Sequence, residues 1–187
     1  MANATTLLFE EPGLANTAAT LQAARARAQE LGITQFVVAS STGRTALQAA
    51  EVLGGQGRVI GIHLSRHFWD LYVGPDAALV GEAEARGVTF FTGPHGLMGA
   101  IDAALADKGA FPGAHIIAHT LYTFSQGTKV AVEDVLMAAD AGLLEMDQEV
   151  ISIAGAGEGC DTALVISPAY SSKFFDLRVR EIVAKPR

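Results

Sequence analysis

The stretch Phe36-Val37-Val38-Ala39-Ser40-Ser41-Thr42-Gly43-Arg44-Thr45 decides how the rest of the chain is read. Its opening apolar run, with two β-branched residues, predicts a strand buried on both faces, as strands of a parallel sheet are. Ser40–Arg44 then turns the chain, and Thr45–Leu53 reads as a helix closed by Gly54-Gly55. Val59–His63 is the next apolar strand, which completes a βαβ unit.

The same grammar extends outward in both directions. Upstream, the apolar run Thr6–Phe9 is broken by Pro12-Gly13, and Asn16 offers a cap to a helix with apolar Ala24, Ala28 and Leu31 that stops at Gly32. Downstream, Gly74-Pro75-Asp76 opens a helix reaching about Arg86, followed by Gly87 and the strand Val88–Thr92. A glycine-rich turn, Gly93–Gly99, leads into a helix near Ala100–Lys108. The short apolar run Ala114–Leu121 fits strand or helix equally. Between Gly127 and Gly142 the residues Val130, Val132, Val135, Leu136, Ala139 and Leu143 recur at helical spacing. Glu149–Ile153, Thr162–Ile166 and Leu177–Val183 read as strands, the last alternating Leu177 and Val179 with Arg178 and Arg180. Alternating strands and helices predict an α/β fold, a doubly wound and mainly parallel sheet. Right-handed crossovers then gather the loops that follow the strands along one sheet edge, where such folds bind ligands.

Composition bounds the function classes. The 187 residues suit one domain spanning 1–187. Thirteen Lys and Arg against twenty Asp and Glu give a net charge of −7, without the basic footprint that nucleic acid requires. Half the residues are hydrophobic and 18% are charged, which excludes intrinsic disorder and suits a chain with a buried interface. No run nears the roughly 18 apolar residues of a membrane span, and no basic-then-apolar leader opens the chain, so a cytoplasmic, membrane-free protein is expected. The single cysteine, Cys160, excludes an internal disulfide.

Chemistry is sought in the loops. Ser40, Ser41, Thr42, Gly43, Arg44 and Thr45 lie between a strand and a helix N-terminus, where free N–H groups and the helix dipole favour an anion. Four hydroxyls, a glycine and a guanidinium fit a phosphate, while plain helix capping by Ser and Thr explains the same residues. Gly93-Pro94-His95-Gly96-Leu97-Met98-Gly99 does not match the dinucleotide fingerprint, and His95 reads either as a ligand contact or as a structural turn residue. Gly155-Ala156-Gly157-Glu158-Gly159-Cys160-Asp161-Thr162 joins two strands; its glycines would admit a planar ligand, with Asp161 and Thr162 as polar contacts. The pairs His63–His67 and His115–His119 have the helical interval but no supporting ligands, so no metal is expected. Cys160 lacks a basic activator and reads as a buried, inert thiol.

The stretch Ser40-Ser41-Thr42-Gly43-Arg44-Thr45-Ala46 is similar to the effector-phosphate loop of pyruvate kinase C-terminal domains. With Asn16-Thr17, Gln126-Gly127-Thr128-Lys129-Val130, Met137–Gly142, Asp161-Thr162-Ala163 and Glu181–Arg187, nearly the whole chain resembles the stand-alone pyruvate kinase C-terminal-domain-like family. The resemblance implies a three-layer α/β/α sandwich. It also implies a ligand, flavin mononucleotide (FMN), with its phosphate on Ser40–Thr45. The ring is expected near His95, Gly96, Gln126, Gly155 and Gly157. The kinase reaction needs a separate barrel of about 250 residues, so no pyruvate kinase activity is expected of 187. No catalytic residue follows from the motifs. A non-catalytic sensor of a sugar phosphate or similar phosphorylated metabolite is the alternative. The low charge and the final strand, taken as an unpaired edge, suggest a homo-oligomer, most simply a two-fold dimer; Arg178 and Arg180 either oppose association by their charge or pair with Asp176 and Glu181 across the two-fold axis.

Overall fold

The computed structural model describes residues 4–187. Seven strands form one sheet: β1 (Leu7–Phe9), β2 (Gln35–Ala39), β3 (Arg58–His63), β4 (Thr89–Thr92), β5 (Val150–Ala154), β6 (Thr162–Ser167) and β7 (Arg178–Pro186). Their order across the sheet is β1-β7-β6-β5-β2-β3-β4. Every neighbouring pair is parallel except those made by β6, which runs against both β5 and β7. The helices are α1 (Thr17–Leu31), α2 (Arg44–Leu53), α3 (Arg66–Trp69), α4 (Ala77–Ala85), α5 (Ala100–Ala106), α6 (Gly113–Tyr122) and α7 (Gln126–Asp140).

The two-residue period of β2 sorts the layers. Phe36 and Val38 face one core, shared with Leu21, Ala24 and Ala28 of α1, Ala46 and Leu53 of α2, and Ala83 of α4. Val37 faces the other, with Ala131, Val132 and Val135 of α7. A smaller cluster of Ala118, Leu136 and Leu97 fixes α6 outside α7. The result is the expected α/β/α sandwich. No helix among the described residues is long and apolar enough to cross a membrane.

Local chemistry explains the element ends. Gly32 closes α1 in the left-handed region at φ 70°. Asp76 caps α4, its carboxylate accepting from the N–H groups of Ala78 and Leu79. The ambiguous run Ala114–Leu121 lies in α6, where buried His115 and Ala118 sit at helical spacing. Three elements escape sequence reading: the single turn α3 and the 3-10 turns at Leu14–Asn16 and Ser171–Asp176.

The edge assignment is corrected in part. β7 lies between β1 and β6 in the sheet order, but β1 pairs only with Ala184–Pro186, so the stretch from Arg178 to Val183 has β6 on one side and no strand on the other among the described residues. Arg180 instead reaches Glu149 at 3.2 Å, and Glu181 receives two hydrogen bonds from Arg27 at 2.6 and 2.7 Å. The exposed side chains Arg178–Arg180 therefore sit on the half of β7 that is paired on one side only, and the short β1 covers the other half at Ala184–Pro186.

Candidate functional site

Register alone places the sequence-predicted loops side by side. Val38 lies opposite Ile153 and Ala39 opposite Ile62, so Ser40 leaves the sheet between Gly155 of the β5–β6 turn and His63 at the end of β3. His63 in turn lies opposite Thr92, so the Gly93–Gly99 turn follows one strand further along. The edge therefore runs Thr162, Gly155, Ser40, His63, Gly93.

The Ser40–Thr45 turn combines both readings open to the sequence. Ser40 is buried and acts as a cap, its Oγ accepting from the N–H of Ala46 at 3.0 Å. Its carbonyl is clamped by His63, whose Nδ1–H donates at 2.8 Å. Burial, the largest influence, holds the His63 imidazole below its ordinary pKa, and the ring stacks on Phe90 at 4.5 Å. His63 is thus a neutral brace of the turn. Thr42 Oγ1 accepts only a long 3.4 Å bond from the Arg44 N–H, and the N–H groups of Thr42, Gly43 and Thr45 meet no acceptor among the described residues. Arg44 is exposed and forms no ion pair among the described residues. The turn accordingly offers donors and a cation at the first turn of α2.

The β5–β6 turn is more committed. Asp161 is fully buried; Oδ2 accepts from the Gly13 N–H at 2.9 Å and Oδ1 from the Thr162 hydroxyl at 2.8 Å. Thr162 also meets Ser125, the cap of α7, at 3.2 Å. Gly127 fits here because any Cβ would strike Thr162 Oγ1. Asp161 and Thr162 therefore tie three elements together, while Gly157 and Gln126 are exposed and Gly155 half-buried at the same edge. Cys160 is buried, and desolvation followed by the Asp161 charge pushes its thiol up to about 12, the inert state expected.

Sequence reading missed the most polar part of the interior. On α7, Lys129, Glu133 and Asp134 are 4%, 2% and 5% exposed. Lys129 Nζ donates to Glu133 Oε2 across one helical turn, and Glu133 Oε1 accepts from the N–H groups of Leu97 and Met98 at 2.7 and 3.1 Å. A buried carboxylate thus pegs the glycine-rich turn to α7. His95 Nδ1 lies 3.7 Å from Glu133 Oε2, and its Nε2 accepts from the Ser65 N–H at 3.3 Å. Burial holds this imidazole below its ordinary pKa, with Lys129 acting the same way and Glu133 opposing. The available signal was three charged residues inside a helix apolar all round, since Val130–Val132 and Val135–Ala139 leave no solvent face for them. Beside Ser65 opens a cavity of about 500 Å3, lined by Arg66, His67, Phe68, Pro94, Ala100 and Ala103 among others. No group of three or more His, Cys, Asp or Glu suited to a metal occurs among the described residues.

Asp134 Oδ2 has no hydrogen-bond partner among the described residues, and burial, then the Glu133 charge, raises its pKa well above 3.8. The folded state thus favours the protonated acid, so its contribution is fully present below the unfolded value and is lost as pH rises through the folded one. Asp134→Asn cannot ionise. Its urea midpoint relative to the parent is expected to improve between about pH 4 and pH 8; a constant difference would show that Asp134 does not titrate with folding.

No protein-family model matches the chain. Solved pyruvate kinases from Cryptosporidium parvum are similar at low identity. One covers 82% of this chain at 15% identity and a TM-score of 0.41; a second, in complex with ADP, covers 82% at 16% and 0.40; a third covers 77% at 12% and 0.37. The chain spans only 22–23% of the length of those proteins, and likeness at this level assigns neither family nor activity.

Proposed function

We propose that the chain binds a small phosphorylated ligand, FMN, with its phosphate on the Ser41–Thr45 turn. The observation that carries this reading is that the N–H groups of half-buried Thr42 and buried Gly43 and Thr45 have no acceptor among the described residues, beside exposed Arg44 at the start of a ten-residue helix. Such donors and the helix dipole suit a dianionic phosphate in position and sign. At the neighbouring β5–β6 turn Gly157 is exposed with nothing where a Cβ would lie, which lets a flat ring approach the backbone there.

The absorbance spectrum of the purified protein, with mass spectrometry of the released ligand, tests the reading directly. No flavin and no binding on titration would end it. Thr42→Ala is expected to weaken FMN by about tenfold, the size of one charge-assisted hydrogen bond, and to leave riboflavin unchanged. Equal loss for both ligands would reduce the turn to a helix cap. In a thermal-shift screen, a ligand at 100 times its Kd stabilises by about 2.7 kcal/mol. Stabilisation by a sugar phosphate and not by FMN would instead favour the non-catalytic sensor.

A further inference from the structure

We propose that the cavity between α3 and α5 takes a primary amine with an apolar ring, the ring lying between the two helices and the ammonium on Asp107. The spacing of α5 builds the cavity. Ala100, Ala103 and Ala104 of α5 and Asp107, its C-cap, recur every three or four residues, so they share one face, and all four line the cavity. Side chains no larger than a methyl group at three of these positions leave room before α3, which lines the opposite side with Arg66 and Phe68. Thr92 and Gly93 lie at the end of β4, and because β4 is the last strand in the sheet order, no further strand fills the space beyond it. The volume of about 500 Å3 is within the usual range of small-molecule sites.

The lining selects the ligand. Phe68, Pro94, Ala100 and Ala103 accept an apolar ring. Of the charged side chains in the lining, Arg66 is already matched: its Nη1 donates to Asp70 Oδ2 at 3.1 Å, and its guanidinium lies over the Trp69 ring at 5.1 Å. The Asp107 carboxylate has neither an ion-pair partner nor a hydrogen-bond donor among the described residues, so the unmatched charge of the cavity is negative. The carbonyl of Ala104 also accepts no backbone hydrogen bond among the described residues, because the N–H groups of Asp107, Lys108 and Gly109 turn to Ala103, Leu105 and Ala106 instead. An ammonium carries three donors and no acceptor, the complement of a free carboxylate and a free carbonyl three residues apart. Asp107 is exposed, so this ion pair sits at the cavity mouth and has the strength of a surface pair, while burial of the ring supplies the rest. No residue of the Ser41–Thr45 turn takes part, so the proposal stands or falls separately from FMN binding.

2-Phenylethylamine is the probe, with 2-phenylethanol as its uncharged counterpart. Titration at pH 8, above the ordinary histidine range and below that of an amine, keeps His67 of the lining from adding a charge of its own. Amide NMR is expected to show saturable shifts centred on Phe68, Ala100, Ala103 and Asp107, with the alcohol bound about fivefold more weakly than the amine. Asp107→Asn is expected to bring the amine down to the level of the alcohol and to leave the alcohol unchanged. Ala103→Phe, which fills the cavity, is expected to lose both ligands, and Thr42→Ala changes neither. The exposed Asp107 side chain makes no bond that the fold depends on, so its variant remains a clean test. No binding of the amine, equal affinity for amine and alcohol, or unchanged amine affinity in Asp107→Asn would each overturn the proposal. So would shifts scattered over the surface without saturation, the mark of a general attraction to a chain of net charge −7.

Discussion

Glu133→Ala is expected to lower the free energy of unfolding by about 3–5 kcal/mol, the usual effect of removing one partner of a buried ion pair. The loss has two sources that act together. Lys129, 4% exposed, loses the carboxylate its Nζ donates to, leaving it the Tyr122 ring 5.9 Å away and the more weakly interacting Asp134 carboxyl, and the N–H groups of Leu97 and Met98 lose their acceptor. A domain typically has only about 5–15 kcal/mol to lose, so the variant unfolds at much lower urea or fails to accumulate. The double variant Lys129→Met/Glu133→Leu separates these sources. It removes the stranded charge and restores apolar contact, and is expected to recover more than half of the deficit, as replacements of buried pairs by apolar groups do. A Glu133→Ala midpoint matching the parent would show that water reaches the pair. A double variant no better than the single one would shift the cause to the glycine-rich turn.

The same residues show what the sequence could disclose. The β2–turn–α2 unit was legible because its signals are local: an apolar strand, a polar turn, and a helix between glycines. Asp76 and Gly32 were legible for the same reason, since a cap acts within a few residues of itself. The place of β7 was not, because pairing with β1 joins Leu7 to Ala184 across nearly the whole chain, and no local pattern records such a partner. α3 has four residues, too few for a periodicity to show. Of the candidate residues, the register brings the turns carrying Ser40–Thr45, His95, Gly96, Gly155, Gly157, Asp161 and Thr162 to one rim, and Gln126 adjoins it through Ser125, whose hydroxyl meets Thr162. It could not show that Asp161 spends both oxygens on its own chain, nor that Lys129 and Glu133 turn inward, because both depend on which loops the fold packs above them.

Gly43→Val is expected to destabilise the fold by about 2–5 kcal/mol, the sum of a left-handed backbone penalty of about 1–2 kcal/mol and an overpacking term of about 1–3 kcal/mol. Gly43 has φ 98°, a conformation that a β-branched residue resists. A Cβ there would also lie 3.0 Å from Val80 Cγ2 and 3.1 Å from the Val80 backbone nitrogen. The sequence suggested that this glycine serves a ligand approaching the backbone; the structure supplies a nearer neighbour, α4, joined to the same turn by the bond from Asp76 N–H to the Thr42 carbonyl at 3.0 Å. The substitution therefore pushes α4 away from α2 before any ligand arrives. Urea unfolding should show the loss in free protein, and hydrogen exchange at Asp76 should accelerate. If FMN binds, its affinity and that of riboflavin should fall together in Gly43→Val, in contrast to the phosphate-selective loss in Thr42→Ala. A Gly43→Val protein of unchanged stability would mean that the turn and α4 move apart freely, and would return the glycine to the ligand.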